Sequence, residues 1–326
     1  MRILVTGVAG FIGSHLLEKL LSHKIDVVGL DNLSVGKLSN INNYLRDPKF
    51  DFYNGDIRDV KLVNDLVSKI DAVIHLAALA DIVPSIENPV EYFSTNVTGT
   101  FNIVAAAKQY NISRIVYAAS SSCYGIPNKY PTPENSPIDT KYPYALTKYL
   151  GETIVLHWSQ VYKLSAISLR LFNVYGLRAR TSGTYGAVFG VFLAQKKAGM
   201  PLTIVGDGNQ TRDFTNVKDV VEAIYLALIS DKQGTYNVGT GNPVSVNKIA
   251  ELIGGEKVFI PKRPGEPDST HADVSKIAKD LDWKSEISIE NGVSEMIVNI
   301  RDWEGAPIWD AESIDKATKN WFKYLK

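Results

Sequence analysis

A tyrosine and a lysine four residues apart are the strongest candidates for chemistry in this sequence. Tyr144 and Lys148 lie in the stretch YPYALTK, which opens a segment of helical composition that runs to Tyr162. Residues four apart share one face of a helix, so the spacing predicts that the ammonium lies beside the phenol. A nearby positive charge favours the phenolate and lowers its pKa. The pair is therefore predicted to supply a general base near neutral pH.

A Tyr-x-x-x-Lys pair is common in purely structural helices, so its interpretation depends on the motifs around it. The apolar run RILVT at 2–6 predicts a buried strand, and leucines at helical spacing follow Gly13. Between them, Gly7 allows a tight turn, Gly10 allows the backbone to approach a pyrophosphate, and Gly13 allows the helix to lie close to the strand. Strand, glycine turn and helix in this order predict a dinucleotide-binding site.

An acidic residue at the end of the second predicted strand indicates which dinucleotide binds. Asp31 follows the apolar run DVVGL at 26–30 and lies eighteen residues after Gly13. A carboxylate at this position accepts hydrogen bonds from the adenosine ribose hydroxyls and repels a 2′-phosphate. The nearest basic residue is Lys37. The sequence therefore predicts NAD rather than NADP as the cofactor.

The pattern of apolar runs predicts an α/β fold with a doubly wound parallel sheet. Helical segments, among them 92–108 and 143–162, separate the runs, and such alternation is typical of a sheet covered on both faces. Ligands then bind at the carboxyl ends of the strands, where the small residues Ala77 and Ala78 would allow a flat cofactor to approach the backbone. Strands are predicted at 2–6, 26–30, 50–53, 72–76, 114–119, 165–170 and 236–239.

Composition excludes several other classes of function. Lys and Arg number 35, as do Asp and Glu, so no charge excess indicates binding to nucleic acid or to an anionic membrane. A single cysteine, Cys123, rules out an internal disulfide and a cysteine-rich metal site. The five histidines show no ligand spacing, no metal is expected, and His75 is interpreted as a packed core residue. No apolar run reaches eighteen residues and a strand begins at residue 2, which predicts a soluble, cytoplasmic protein.

Ten motifs together resemble the extended short-chain dehydrogenase/reductases, specifically the NAD-dependent nucleotide-sugar epimerase/dehydratase family. The resemblance extends to about residue 285 and is strongest to the 4-epimerases that act on UDP-glucose or UDP-N-acetylglucosamine. In chain order the motifs are TGVAGFIGSHL, LDNLS, GDIRD, HLAA, SSSCYG, YALTK, LRLFNVYG, TRDFTNVKDV, YNVGTG and KRPGEPD.

The resemblance assigns roles to residues by their place in these motifs. It implies three catalytic residues, Ser120, Tyr144 and Lys148. It implies contacts with the cofactor NAD by Gly7, Gly10, Phe11, Ile12, Gly13, Asp31, Asn32, Asp56, Ile57, Leu76, Ala77, Ala78, Asn96, Tyr144 and Lys148. It implies contacts with a nucleotide-diphosphate sugar by Ser121, Ser122, Asn173, Arg212, Arg263, Glu266 and Thr270, of which the two arginines would hold the diphosphate.

The resemblance also implies the organisation of the chain. A Rossmann domain would comprise residues 1–173 and about 213–240, and a smaller, interleaved substrate-binding domain about 174–212 and 241–300. Residues 301–326 form an aromatic-rich C-terminal appendage that matches no family motif. The appendage either packs on its own domain or contributes to an interface. A homodimer is expected through the helices at 92–108 and 143–162.

The family chemistry implies two alternative reactions that share oxidation of the sugar at C4 by bound NAD. Return of the hydride to the other face of the 4-keto sugar gives 4-epimerisation. Loss of water from C5 and C6 gives a 4-keto-6-deoxy sugar, which needs a further acid and base. Ser121 and Ser122 occupy the positions where dehydratases of the family carry acids, so an epimerase is predicted, unless Glu87 or Glu134 replaces them in space. A protein that binds NAD without turnover is the third alternative.

The residue at position 270 indicates which sugars can bind. Thr270 follows Glu266 by four residues and matches a site where bulky family residues exclude N-acetyl groups. Because threonine is small, the resemblance implies that N-acetylhexosamines fit the pocket alongside plain hexoses.

Overall fold

Strands and helices alternate along most of the chain. The computed structural model describes residues 1–179 and 188–325, so part of the predicted substrate-binding segment, 180–187, and Lys326 lie outside the described residues. The strands are β1 (Arg2–Thr6), β2 (Asp26–Asp31), β3 (Phe50–Asn54), β4 (Ala72–His75), β5 (Arg114–Ser120), β6 (Ala166–Leu171), β7 (Val174–Tyr175), β8 (Leu202–Val205), β9 (Thr211–Arg212), β10 (Thr215–Asn216), β11 (Gly234–Val238), β12 (Val244–Ser245) and β13 (Lys257–Ile260). The helices are α1 (Phe11–Ser22), α2 (Val60–Val67), α3 (Ile82–Glu87), α4 (Pro89–Phe93), α5 (Thr100–Gln109), α6 (Pro143–Tyr162), α7 (Val188–Lys197), α8 (Val217–Ile229), α9 (Val246–Ile253), α10 (Ser275–Leu281), α11 (Ile289–Val298) and α12 (Ala311–Tyr324).

Seven parallel strands form the central sheet, in the order β3-β2-β1-β4-β5-β6-β11. The direction of winding reverses between β1 and β4, where Ile3 pairs with Ala72 and Thr6 with His75. The prediction of a doubly wound parallel sheet is confirmed. In such a sheet the crevice at the carboxyl ends of the two central strands is the expected ligand site.

Alternating side chains of each strand fill two hydrophobic cores, one on each face of the sheet. Ile3 and Val5 point into the core that α1, α8 and α10 cover, whereas Leu4 points into the core that α2, α5 and α6 cover. These strand side chains are fully buried. Burial on both faces explains why the strands are continuous apolar runs rather than alternating patterns.

A third hydrophobic core lies outside the central sheet. It is built from α7, α9 and α11 together with β8, and it includes Phe189, Ile249, Trp303 and Ile314. Three two-stranded sheets accompany it, which pair β7 with β10, β9 with β12, and β8 with β13. The appendage therefore packs partly on this core. The domain boundaries given above stay a prediction.

A membrane crossing would need a longer and more apolar helix than any within residues 1–179 and 188–325. In the same described ranges, no three His, Cys, Asp or Glu side chains gather as a set of metal ligands.

A buried ion pair fixes α6 to the sheet. The guanidinium of Arg170 on β6 donates to both carboxylate oxygens of Glu152, and the shortest contact, from Nη2 to Oε1, is 2.6 Å. The hydroxyl of Ser168 donates to the same carboxylate, and Nη1 of Arg170 donates to the hydroxyl of Tyr124. The two charged side chains are 6% and 2% exposed. Since α6 carries Tyr144 and Lys148, this pair positions the predicted catalytic residues.

We expect Glu152→Ala to lower the free energy of unfolding by about 3–5 kcal/mol, because it leaves the Arg170 guanidinium buried without its carboxylate. Urea denaturation followed by circular dichroism measures the loss. Asp65→Ala removes one partner of the exposed Lys69–Asp65 pair and serves as the control, with an expected loss of less than about 1 kcal/mol. Equal losses in the two variants would contradict this role for Glu152.

Candidate active site

The turn between β1 and α1 has the shape that a dinucleotide requires. Gly7 has a φ of +74°, and a Cβ there would lie 2.9 Å from the backbone nitrogen of Ala77. A Cβ at Gly13 would lie 2.1 Å from the carbonyl oxygen of Gly7. α1 then begins at Phe11 without a side-chain cap at Gly10. Only glycine at these two positions allows the turn to lie so close to Ala77 and to the start of α1. The turn forms a backbone cradle at the positive end of the helix dipole, and this cradle fits the pyrophosphate of NAD.

Asp31 lies at the end of β2, next to this turn. Its carboxylate accepts hydrogen bonds from the backbone N–H of Ala9 at 2.9 Å and of Leu33 at 2.8 Å. Burial raises the pKa of Asp31 above its usual value. Each oxygen keeps a second lone pair, so the carboxylate can still accept from ribose hydroxyls. The predicted cofactor contact is compatible with this geometry and stays a prediction.

Asp56 and Asn32 contact each other beside Asp31. The amide of Asn32 donates to Asp56, which also accepts hydrogen bonds from the backbone and the guanidinium of Arg58. The hydrogen bonds from Arg58 lower the pKa of Asp56 to about 2. Ile57 is buried, and a Cβ at Gly99 would lie 2.4 Å from its Cδ1. Through these contacts Asp56 stabilises the loop that follows β3. The predicted contact between Asp56 and NAD stays a prediction.

A buried network supports the segment after β4. His75 is bonded through Nδ1 to the hydroxyl of Thr6 at 2.7 Å and through Nε2 to that of Thr100 at 2.9 Å. The Thr6 hydroxyl accepts from the backbone N–H groups of Leu76 and Ala77. Burial lowers the pKa of His75 to about 3, so the ring is neutral. The interpretation of His75 as a packed core residue is confirmed.

Asn96 continues this network toward α6. The sequence predicts one helix over 92–108, whereas the structure has α4, a π-helical turn at Ser94–Gly99 and then α5. The turn places the Asn96 amide where it donates to the carbonyl of Leu79 and the hydroxyl of Thr147, and its oxygen accepts from the N–H of Leu79. In this structure Asn96 thus positions the backbone beyond Ala78, and a direct contact with the cofactor stays a prediction.

Ser120 and Tyr144 meet at the end of β5. Burial raises the pKa of Tyr144, the charge of Asp81 raises it further, and a hydrogen bond with Ser120 lowers it. The Ser120 hydroxyl also lies 2.8 Å from that of Ser122. A hydroxyl placed against the phenol is the arrangement that a proton transfer to or from a sugar hydroxyl requires.

The expectation that Lys148 lowers the pKa of Tyr144 is wrong for this structure. The Lys148 ammonium lies 4.4 Å from the centre of the Tyr117 ring. Burial lowers the pKa of Lys148 itself to about 7, so at neutral pH the lysine is charged only part of the time. Desolvation of both groups explains the difference, because the sequence gives their spacing on a helix but not their depth in the protein.

One cleft of about 520 Å³ brings most of the predicted catalytic and substrate residues together. It extends from the start of α1 across the carboxyl ends of β5 and β6 to the third core. Lys148 does not line the cleft and is buried against Tyr117. The predicted site residues that line the cleft are Phe11, Ile12, Ser120, Ser121, Ser122, Tyr144, Asn173, Arg212, Arg263, Glu266 and Thr270.

Two arginines and one carboxylate give the far end of the cleft its charge. Arg212 on β9 lies 4.0 Å and Arg263 lies 3.5 Å from the carboxylate of Glu266. The hydroxyl of Thr270 donates to the amide oxygen of Asn173 at 2.8 Å. Two guanidiniums with a single carboxylate leave a net positive charge, which suits a diphosphate.

Asp81, Tyr142 and Trp321 are among the lining residues that sequence reasoning missed. Asp81 has a φ of +96°, which no sequence pattern indicates. Tyr142 precedes Tyr144 by two residues, and Trp321 belongs to the aromatic appendage whose place was left open. Neither Glu87 nor Glu134 lines the cleft. The acid whose charge acts on Tyr144 is Asp81, which the sequence analysis did not consider.

Comparisons with known proteins agree with this geometry. The sequence matches the family GDP-mannose 4,6 dehydratase over residues 4–296. It is 41% identical over 303 residues to a putative UDP-glucose 4-epimerase of Methanocaldococcus jannaschii, covering 90% of this chain and 97% of that protein.

Solved structures also resemble the whole fold, two UDP-glucose 4-epimerases among them. One is UDP-glucose 4-epimerase of Thermotoga maritima with UDP-glucose, at a TM-score of 0.87 and 32% identity, covering 92% of this chain and 99% of that chain. The other is the Thermus thermophilus UDP-glucose 4-epimerase complex with NAD, at a TM-score of 0.83 and 34% identity, covering 94% and 100%.

The buried Lys148 predicts an unusual dependence of stability on pH. Its pKa of about 7 in the folded protein lies below the ordinary value of about 10.4, so the unfolded chain binds the proton more tightly. The cost of burying Lys148 is therefore greatest below pH 7 and falls as the pH rises toward 10. We expect Lys148→Met to stabilise the NAD-free protein at pH 7, and to do so less at pH 9.5.

Urea denaturation of NAD-free protein at the two pH values measures this difference, on the order of a few kcal/mol. Lys69→Met, at an exposed position on the surface, controls for the loss of a lysine. A Lys148→Met effect that is the same at both pH values would show that Lys148 keeps its proton throughout this range.

Proposed function

The chain belongs to the nucleotide-sugar epimerase/dehydratase family, and from that premise we propose that it is an NAD-dependent 4-epimerase of a UDP-hexose or UDP-N-acetylhexosamine. One observation carries the proposal. The cleft that begins at the start of α1 holds Ser120 and Tyr144 near the sheet, and Arg212 and Arg263 at its other end. A nucleotide sugar bound to the arginines by its diphosphate would present its sugar to the phenol.

Several features support NAD as the cofactor. The backbone cradle formed by Gly7, Gly10 and Gly13 would hold the pyrophosphate, and Asp31 would accept from the adenosine ribose. Ala77 and Ala78, held by the Thr6–His75 network, would form the surface beneath the nicotinamide. When bound, NAD supplies an acceptor for the hydride of the sugar C4 and a donor for its return.

The chain's own residues would handle the proton. Tyr144 would accept the proton of the C4 hydroxyl through its phenolic oxygen and later return it, and Ser120 would hold the same hydroxyl in place by a hydrogen bond. Arg212 and Arg263 would keep the diphosphate fixed while the 4-keto sugar turns over and presents its other face. Each group leaves the cycle in the state in which it entered, as an isomerisation requires.

The side chains near Tyr144 support epimerisation over dehydration. Loss of water from C5 and C6 needs a second acid and base, and hydroxyls such as those of Ser121 and Ser122 do not ionise near neutral pH. Glu87 and Glu134 do not line the cleft, and Glu266 lies beside the two arginines at its other end. Asp81 supplies one carboxylate near Tyr144, where two groups are needed. With Ser120 and Tyr144 both in the cleft, the chain also has the groups that a purely NAD-binding protein would not need.

Two residues that line the cleft, Asp81 and Thr270, support a neutral sugar. Asp81 lies close enough to raise the pKa of Tyr144 by its charge, and it would repel a sugar carboxylate. The side chain of Thr270 is small and leaves room beside Asn173. A plain or N-acetylated hexose meets both conditions, whereas a hexuronic acid does not.

Exposed apolar side chains support a homodimer. Val90, Phe93, Phe101, Leu146 and Tyr162 all lie exposed on α4, α5 and α6. Apolar groups clustered on one surface favour association, and these helices are the ones expected to form the dimer. The dimer and the cytoplasmic location stay predictions.

We expect the purified protein to convert UDP-glucose or UDP-N-acetylglucosamine to its C4 epimer without added NAD. Proton NMR of the reaction measures the new equatorial H4 of the product. Tyr144→Phe should lose nearly all turnover, about 10²–10⁴-fold for loss of acid–base catalysis, while it keeps bound NAD. A C6 methyl doublet with a 4-keto signal would instead identify a dehydratase, and near-normal turnover by Tyr144→Phe would remove it from the mechanism.

A bulky residue at position 270 should change the choice of sugar. We expect Thr270→Tyr to lower kcat/KM for UDP-N-acetylglucosamine at least about tenfold relative to UDP-glucose, since a steric clash of about 1.4 kcal/mol suffices for that ratio. Thr270→Ser keeps the hydroxyl bonded to Asn173 and is the matched control. An unchanged ratio in Thr270→Tyr would show that the N-acetyl group binds elsewhere.

A further inference from the structure

The C-terminal helix α12 contributes a side chain to the substrate cleft. It lies beyond residue 296, where the match to the family ends, and its aromatic residues match no motif of the sequence analysis. Trp321 on this helix lines the cleft and is only 3% exposed. The appendage thus has a buried place beside the diphosphate end of the site, in addition to its contacts with the third core.

Trp321 holds the loop that carries Arg263. Its indole N–H donates to the carbonyl of Pro264 at 2.7 Å, and the Arg263 guanidinium lies 5.2 Å from the centre of the ring. Leu325, just after α12, also approaches this loop, since a Cβ at Gly265 would lie 3.4 Å from its carbonyl oxygen. The C-terminal helix and the residue after it therefore contact three successive residues of this loop, Arg263, Pro264 and Gly265.

The same helix contacts the opposite wall of the cleft. The amide of Asn320 donates to the carboxylate of Glu87 on α3 at 3.1 Å, and α3 begins directly after Asp81. The rings of Trp321 and Tyr142 lie 6.4 Å apart, and Tyr142 is stacked parallel to Tyr144 at 6.4 Å. Trp321 therefore links the arginine loop to the wall that carries the catalytic tyrosine.

We propose that Trp321 is a positioning residue of the substrate site, which orients the Arg263 guanidinium toward the diphosphate of the nucleotide sugar. The inference rests on the proposed function for the identity of the ligand. An arginine on a loop has many rotamers, and fixing it before binding removes that entropy cost from the binding step. The face of the indole restricts the guanidinium, and the bond to Pro264 restricts the backbone that carries it.

Titration calorimetry of the NAD-loaded protein with UDP tests this proposal. We expect Trp321→Ala to weaken UDP binding about tenfold, which is 1.4 kcal/mol. Trp321→Phe should weaken it less, because an aromatic ring remains although the N–H and the second ring of the indole are lost. Tyr324→Ala removes an exposed aromatic side chain of the same helix and should leave the affinity within twofold. In steady-state assays KM should rise in Trp321→Ala while kcat stays within about threefold.

A double-mutant cycle with Arg263→Gln separates positioning from a general structural role. If Trp321 acts through Arg263, then Trp321→Ala should weaken UDP binding less than twofold in the Arg263→Gln background. The same tenfold loss in both backgrounds would overturn the proposal, as would an unchanged affinity in Trp321→Ala. Binding of UDP needs no turnover, so the cycle gives its answer even if the protein proves not to be an epimerase. Trp321→Phe keeps the test valid if Trp321→Ala fails to fold.

Discussion

The site depends on how the protein buries charge beneath α6. The carboxylate of Glu152 and the guanidinium of Arg170 satisfy each other inside the protein, together with hydroxyls from Ser168 and Tyr124. This pair holds one face of α6 against β6. One turn earlier on the same helix, the buried Lys148 ammonium lies over the Tyr117 ring. The helix can present Tyr144 to the cleft only because these charges have partners.

This burial has a consequence for the chemistry. Desolvation raises the pKa of Tyr144 and lowers that of Lys148, so in the ligand-free protein both groups tend toward their neutral forms. A neutral phenol can accept the proton of the sugar hydroxyl only after it has lost its own proton, which a positive charge nearby would favour. The bound cofactor and the sugar hydroxyl held by Ser120 would complete the environment in which Tyr144 acts.

The central sheet and many residues of the cleft could be predicted from the sequence. The physical reason for the strands differs from the reason for the cleft residues. Buried parallel strands are apolar runs, so the strands of the sheet could be located within one or two residues. Gly7 and Gly13 could be identified because their close approaches exclude every other side chain. The residues missed were those whose role depends on distant parts of the chain, such as Asp81 with its positive φ and Trp321 from the last helix. The pKa of Tyr144 was predicted in the wrong direction, because spacing on a helix gives no information about depth.

The central claim is that the sugar C4 loses its hydride and regains the same hydride on its other face while Tyr144 exchanges the proton. UDP-glucose that carries deuterium at C4 tests this most directly, with the product followed by NMR and mass spectrometry. The account predicts that deuterium remains at C4 in both epimers, with none lost to solvent. Deuterium in a C6 methyl group would instead show dehydration. Loss of the deuterium to solvent would show that C4 reacts by proton exchange. Either result would contradict the account.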